Sequence, residues 1–263
     1  MWFDTHAHLT SDRFDEDREE LIEKLPSLGV SLLVDVGYDP DWRYNALSSA
    51  QKASYIYAAL GVHPHEADIY TDEVEQELSA QITGYEKVVA VGEIGLDYHY
   101  EYSPRAVQRD VFARQLALAR RLKKPVVIHM REATQDTLEI LRAYRTDHGV
   151  MHCYSGSLET AKLALDMGFY ISFSGSVTFK NAVKLREVAR YVPMDRLLVE
   201  TDCPFLAPEP KRGRRNQPDY VRYTGAFLAQ LRGVATEEMA QITMRNGCQL
   251  FCIRMPDTST EGV

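Results

Sequence analysis

The opening stretch Phe3-Asp4-Thr5-His6-Ala7-His8 sets two histidines two residues apart at the end of an apolar run. Side chains alternate across a strand, so this spacing turns both imidazoles to one face, where they can share a metal ion. Such a pair is by itself more often structural than a ligand pair. Its meaning therefore turns on what terminates the later strands.

Short β-branched runs alternate with longer helical patterns over most of the chain, the signature of repeated βα units around a parallel sheet. The predicted strands are Trp2 to His8, Ser31 to Gly37, Ile56 to His63, Val88 to Glu93, Pro125 to His129, Val150 to His152, Tyr170 to Phe173 and Leu197 to Asp202. Helical patterns run from Asp15 to Leu28, Asp41 to Ala53, Asp72 to Ile82, Arg105 to Leu122, Thr134 to Arg145, Leu158 to Met167 and Ala182 to Tyr191. Gly29, Gly149 and Gly168 sit where left-handed helix caps are expected. Two closing helices follow near Tyr220 to Leu231 and Thr236 to Phe251. About eight strands is the number that closes a (β/α)8 TIM barrel. The expected architecture is thus a single α/β domain over 1–255, a (β/α)8 TIM barrel with extra C-terminal helix, and a flexible tail over 256–263. A doubly wound open sheet is disfavoured because no Gly-x-Gly-x-x-Gly follows the first strand.

Barrel enzymes place chemistry at the C-terminal ends of their strands. Here those ends carry His6 and His8, His63 and His65, Glu93, His129, His152, and Glu200 with Asp202, whereas His99 and His148 fall in loops. Groups of these types are costly to bury without partners, and convergence on metal is the simplest compensation. Six ligands, His6, His8, Glu93, His129, His152 and Asp202, exceed what one open catalytic ion takes, which points to two divalent ions. A carboxylate can bridge ions where an imidazole cannot. Glu93 is therefore the expected bridge, with His6, His8 and Asp202 on one ion and His129 and His152 on the other. Two ions about 3.5–4 Å apart would ionise a shared water and stabilise both oxygens of a displacement, which is hydrolysis.

Composition sets the outer limits. With 263 residues, 45% hydrophobic and 26% charged, and no apolar run of membrane-spanning length, the chain reads as a soluble protein with no membrane partner. No export signal opens it, and Cys153, Cys203, Cys248 and Cys252 form no Cys-x-x-Cys pair, so a cytoplasmic location with reduced thiols is expected. Cys153 and Cys203 follow ligand candidates directly and are expected to face away from the site. A net charge of −8 argues against coating nucleic acid non-specifically but leaves room for a local phosphate grip. The densest cationic run is Lys211-Arg212-Gly213-Arg214-Arg215.

His6-Ala7-His8, Gly61-Val62-His63-Pro64-His65, Gly92-Glu93-Ile94-Gly95-Leu96-Asp97-Tyr98, Val127-Ile128-His129, Met151-His152-Cys153-Tyr154-Ser155-Gly156 and Glu200-Thr201-Asp202-Cys203-Pro204 together resemble the TatD-like metal-dependent deoxyribonucleases of the amidohydrolase superfamily. The resemblance runs almost end to end. It implies a TIM barrel with a dinuclear site on the six ligands above, holding Mg2+, Mn2+ or Zn2+, and cleavage of DNA phosphodiester bonds, with 3′ to 5′ exonuclease and abasic-site activities in the family. It also implies an alternative, D-aminoacyl-tRNA deacylation or hydrolysis of another small ester or amide on the same centre. A barrel that binds metal or nucleic acid without catalysis is the third reading. Other superfamily branches bridge their ions with a carbamylated lysine, for which Glu93 stands here.

The expected partner is a DNA substrate, single-stranded or a 3′ end, and no obligate protein partner is evident. Asp202 is a candidate proton acceptor for the attacking water as well as a ligand. For His63, orienting the scissile phosphate, donating a proton, holding an extra ion and a purely structural hydrogen bond all stay open. Asp4, His65, Asp97 and Glu200 are expected to orient the ligands. Arg131 and Ser155, and on the loop after strand 8 Arg214 and Arg215, are candidate phosphate contacts, with His65 at the same mouth.

Overall fold

The computed structural model describes residues 1–256. Runs rich in valine, isoleucine and leucine form strands β1 (Trp2–Ala7), β2 (Val30–Gly37), β3 (Ile56–Leu60), β4 (Val88–Asp97), β5 (Val126–Arg131), β6 (Gly149–Met151), β7 (Tyr170–Phe173) and β8 (Leu197–Val199). Between and after them lie helices α1 (Arg18–Lys24), α2 (Pro40–Lys52), α3 (Asp72–Gly84), α4 (Arg105–Leu122), α5 (Thr134–Ala143), α6 (Leu158–Asp166), α7 (Val183–Tyr191), α8 (Val221–Arg232) and α9 (Thr236–Phe251). The strands pair in chain order from β1 to β8, and every pair is parallel. The expected (β/α)8 barrel is therefore the fold. No helix among the described residues is long and apolar enough to cross a membrane.

The ends of β1 and β8 meet through the residues that carry chemistry. Asp202 donates its backbone N–H to the His6 carbonyl (2.9 Å), and His8 donates to Cys203 (2.9 Å). Below them the Thr5 hydroxyl donates to the Val199 carbonyl at 2.9 Å. These bonds take the place of a ladder across the seam, satisfying backbone groups that burial would otherwise leave unpaired.

Apolar packing forms two layers. One lies between strands and helices and includes Leu33, Leu60, Leu78, Phe112 and Phe173. The other fills the barrel interior with Phe3, Val34, Ala59, Ala90, Val127 and Leu198, and is plugged by Met244, Cys248 and Phe251 of α9. The extra C-terminal helix thus closes one end of the barrel, and the opposite end stays open as a mouth.

Irregularities fall where ligands must be aimed. Pairing of β1 with β2 shifts between Asp4 and Ala7, and pairing of β4 with β5 shifts between Val91 and Ile94. Such bulges bend a strand and re-aim its side chains, here at His6 and at Glu93. Two buried glutamines of α4 hold the neighbouring backbone. Gln115 accepts from Val62 N–H (2.8 Å) and donates to its carbonyl (2.9 Å), and Gln108 does the same for Asp97 (2.9 and 3.0 Å).

Three sequence expectations need correction. β4 continues four residues past Glu93, so this carboxylate sits inside the strand and Asp97 ends it. β3, β6 and β8 stop at Leu60, Met151 and Val199, leaving His63, His152, Glu200 and Asp202 past the strand ends. Gly149 is the first residue of β6 and not a left-handed cap. Glycine is needed there for close approach, since a Cβ would lie 2.6 Å from the Val126 carbonyl oxygen. Gly29 and Gly168 do adopt positive φ (92° and 93°), as expected. The tail expected over 256–263 lies, apart from Pro256, outside the described residues.

Gly95 combines both glycine requirements: its φ is 144°, and a Cβ would fall 1.9 Å from the His129 carbonyl oxygen. Replacing Gly95 by alanine should cost about 3 kcal/mol of stability, because β5 must move to admit the methyl group. Urea unfolding with and without metal checks this; an unchanged midpoint would show that β4 and β5 do not need this contact.

Candidate metal centre

Glu93 is 3% exposed and stands at the centre of the mouth. Its two oxygens face different imidazoles. Oε2 lies 3.5 Å from His6 Nε2 and 3.7 Å from His8 Nε2. Oε1 lies 2.8 Å from His129 Nδ1, 2.7 Å from His152 Nε2 and 3.5 Å from His63 Nε2. Asp202 closes the first side, with Oδ1 at 3.4 Å from His8 and 3.8 Å from His6. The backbone at Asp202 is in the left-handed region (φ 55°), a conformation held by its bond to His6.

The far ring nitrogens decide what the near ones can do. His8 donates from Nδ1 to the Val36 carbonyl (3.1 Å), and His129 donates from Nε2 to Asp97 (3.0 Å). His152 Nδ1 faces Glu200 at 3.4 Å. A neutral imidazole that gives its proton outward presents a bare lone pair inward, as metal ligation requires. Glu200 is itself pinned by the Cys153 N–H (2.7 Å), and Asp4 accepts from the N–H and hydroxyl of Thr201 (2.8 and 2.5 Å). Asp97 accepts from the N–H groups of His99 and Tyr100 (2.9 and 3.1 Å) and lies 3.0 Å from His65 Nε2. The four orienting residues expected from sequence, Asp4, His65, Asp97 and Glu200, all lie around the ligands.

His63 differs. Its Nδ1 accepts the His65 N–H at 3.1 Å, and burial pushes the ring's pKa down to about 4. A neutral ring that accepts at Nδ1 carries its proton on Nε2, the atom facing Glu93. His63 is therefore built as a donor toward the mouth.

The electrostatics of the cluster favour positive charge around Glu93. Burial raises the Glu93 pKa, yet His152, His63 and the bonds from His129 outweigh it and hold the carboxyl well below its ordinary range. Burial lowers the His152 pKa, but Glu93 and Glu200 overcome this and raise it well above the usual imidazole value. Positive charge is thus demanded around Glu93, and protons supply it when no cation does. Ligand atoms of His6, His8 and Glu93, of His63, Glu93 and His129, and of His6, His152 and Asp202 each lie within 4.8 Å of one another. The donor set, imidazole nitrogens with two carboxylates, suits divalent cations.

A cavity of about 610 Å³ opens over this cluster, and its lining includes His65, Arg131 and Ser155, three of the candidate phosphate contacts. Arg214 is exposed on the loop after β8 and does not line the cavity. Arg215 instead makes a paired contact with Asp17 (2.7 and 2.6 Å) and lies over Phe14, which ties that loop to the segment before α1. Cys203 is buried, as expected, but Cys153 lines the cavity. Alternation does not extend to Cys153 because β6 has already ended and its φ is 41°. Tyr38, Tyr100, Ser176 and Phe205 also line the mouth. Tyr38 directly follows β2 and Ser176 lies three residues past β7, so the strand-end rule extended to those two strands would have found them.

Imidazole nitrogens gathered around a two-faced carboxylate, at the open mouth of a (β/α)8 barrel, are the donor set that a metal-dependent hydrolase would use. A family model described as TatD related DNase matches residues 3–252. The chain is 46% identical over 257 residues to YabD of Bacillus subtilis (strain 168), named as an uncharacterized metal-dependent hydrolase, covering 96% of this chain and all of that one (100%). It is 34% identical over 257 residues to the 3'-5' ssDNA/RNA exonuclease TatD of Cronobacter sakazakii, covering 95% and 97% of the two chains. The crystal structure of YJJV, a TatD homologue from Escherichia coli K12, superposes with a TM-score of 0.90 at 30% identity, covering 96% of this chain and 98% of that one. This chain belongs to the TatD family of metal-dependent hydrolases.

The Asp97–His129 contact gives the metal-free protein a bell-shaped stability signature. Burial raises the Asp97 pKa, but His129, His65 and the turn N–H groups outweigh it and hold the carboxyl below its ordinary range, so its contribution fades as pH falls through and below about 4. Burial lowers the His129 pKa, but Asp97 and Glu93 raise it overall, so its contribution is full below about pH 6.5 and fades as pH rises through the raised value. The stability gap between wild type and Asp97→Asn should therefore be widest at about pH 5–6. Urea unfolding in chelator across pH 3–9 measures it, and a gap independent of pH would contradict the pairing.

Proposed function

We propose that the protein hydrolyses phosphodiester bonds of DNA, at single strands or 3′ ends, on a centre of two divalent cations. The observation that carries this reading is the division of Glu93, whose two oxygens face separate imidazole sets. His6, His8 and Asp202 would hold one ion, His129 and His152 the other, and Glu93 both. Divalent cations so held would ionise water near neutral pH and stabilise the attacking and leaving oxygens. The name of the Cronobacter sakazakii relative supports a nucleic-acid substrate.

The remaining steps belong to the chain's own groups. Asp202 has one carboxylate oxygen toward His6 and His8, and burial of this side chain is outweighed by those imidazoles and His152, which hold it ionised. That state lets it accept the proton of the attacking water. His63, with its proton on Nε2, donates toward the scissile phosphate or the departing oxygen. Arg131, Ser155 and His65 stand along the cavity wall, where a guanidinium, a hydroxyl and an imidazole contact phosphate oxygens. Arg214 reaches a more distant phosphate from the rim, and Arg215 steadies its loop through Asp17.

Two measurements test the reading. Wild type with Mg2+, Mn2+ or Zn2+ should shorten single-stranded DNA, and Glu93→Gln should lose more than the roughly 10- to 100-fold that removing a ligand's outer partner costs. No cleavage with any metal, or full activity of the variant, would overturn it. Elemental analysis should find two ions per wild-type chain, and His6→Ala/His8→Ala should retain about one, held by Glu93, His129 and His152. Retention of both ions would refute the assignment of ligands to sides.

A further inference from the structure

The mouth carries exposed aromatic surface on two sides, and neither piece takes part in the ligand cluster. Tyr100 and Tyr102 follow β4. They are 48% and 69% exposed, and their rings are stacked at 5.3 Å with planes 8° apart. The left-handed backbone at Glu101 (φ 49°) folds the chain so that the two rings lie face to face. Phe205 follows β8 and is 42% exposed. Tyr100 and Phe205 both line the cavity above Glu93. With strands ordered β1 to β8, the loops after β4 and β8 stand four strands apart, on opposite sides of the mouth. The ligand cluster lies between them.

Each surface is backed by a cation. The Arg131 guanidinium sits 4.8 Å from the Tyr100 ring centroid, and that of Arg13 sits 5.3 Å from Phe205. The tyrosine pair is also pinned in place. The Tyr100 N–H donates to Asp97, which bonds His129, and His65 packs edge-on against both rings at 5.6 and 4.8 Å. Exposed aromatic rings normally lose conformational freedom when they bind; rings held by stacking and by a buried carboxylate have less to lose. Flat π faces with adjacent guanidinium groups, on both sides of a phosphate-handling centre, match the alternating base and phosphate of an unpaired strand.

We propose that Tyr100 with Tyr102, and Phe205 across the mouth, are stacking shelves for the nucleobases on either side of the scissile phosphate, which makes the site selective for unpaired strands. Bases inside a duplex have their faces covered by their neighbours and cannot use such shelves without being unstacked. Stacking is tolerant of base identity, since every base has a π face, so the shelves select strandedness and not sequence. The proposal rests on the phosphodiester reading above.

The test uses the full chain with its metals and a short phosphorothioate-linked single strand carrying 2-aminopurine, with abasic and duplex versions as controls. Wild type should quench the fluorophore and bind the base-bearing strand roughly 10- to 100-fold tighter than the strand abasic at the stacked position. Tyr100→Ala/Tyr102→Ala should remove the quench for a base on one side of the scissile linkage, and Phe205→Ala for a base on the other. Tyr100→Phe/Tyr102→Phe should keep it, since the ring and not the hydroxyl is needed. With an ordinary single strand the alanine variants should raise KM by a similar factor and leave kcat and metal content nearly unchanged. Alanine variants that retain the wild-type preference for base over abasic strand, or that cleave with unchanged KM, would overturn the shelves while leaving the nuclease reading intact. Quenching that depends on these rings, in a protein that cleaves no strand, would uphold the shelves and overturn the nuclease reading.

Discussion

A carboxylate cannot stay ionised in the interior of a barrel unless positive charge surrounds it, and Glu93 imposes that requirement on everything near it. Its burial would drive it neutral, yet five imidazoles lie within about 4 Å of its oxygens and pull it the other way. Each of those rings must then be oriented, and the outer partners Val36, Asp97 and Glu200 exist to do so. Those partners in turn need fixed backbone, which Gln108 of α4 supplies at Asp97 and the Cys153 N–H supplies at Glu200. One buried charge thus recruits contacts from most of the barrel's strands. The low-dielectric surroundings that make the charge costly also strengthen every interaction that compensates it.

The chain's acidity makes the placing of its cations matter for any anionic substrate. A net charge of −8 repels polyanions at a distance. Several arginines lie over aromatic rings, Arg131 on Tyr100 and Arg13 on Phe205 beside the cavity, Arg212 on Phe179 and Arg215 on Phe14 away from its lining. A guanidinium attracted to a ring face can still offer its N–H donors to a second partner. Arg131 is the guanidinium that lines the cavity itself, and Arg13 stands behind Phe205 at its edge.

Much of this was legible from the order of residue types. The alternation of β-branched runs with helical patterns identified the barrel, and polar residues ending apolar runs pointed to the side chains that meet around Glu93, because such endings are hard to explain by packing alone. What escaped was long-range or irregular. Arg215 reads as a phosphate contact in a basic run, but its partner Asp17 is 198 positions away in the chain and nothing local announces it. Cys153 was placed behind the site by strand alternation, which stops holding where β6 ends and φ turns positive. The apolar run ahead of Glu93 makes it look like a strand terminus, whereas β4 carries it inside a bulged strand and runs on to Asp97. The stacked pair of Tyr100 and Tyr102 depends on a left-handed Glu101, a conformation that no residue type there foretells.

The seam between β1 and β8 bears on how the protein comes into being. Two of the bonds that join the first strand to the last, Asp202 to His6 and His8 to Cys203, involve the backbone of candidate ligands. Closing the barrel and completing the metal centre are accordingly one event. During synthesis from the N-terminus, His6 and His8 emerge first and wait for a partner that arrives only when about three quarters of the chain is made. Until then the growing polypeptide can carry some of the imidazoles, but it cannot hold them in register with Asp202. The cluster around Glu93 is therefore complete only when the eighth strand has returned to the first.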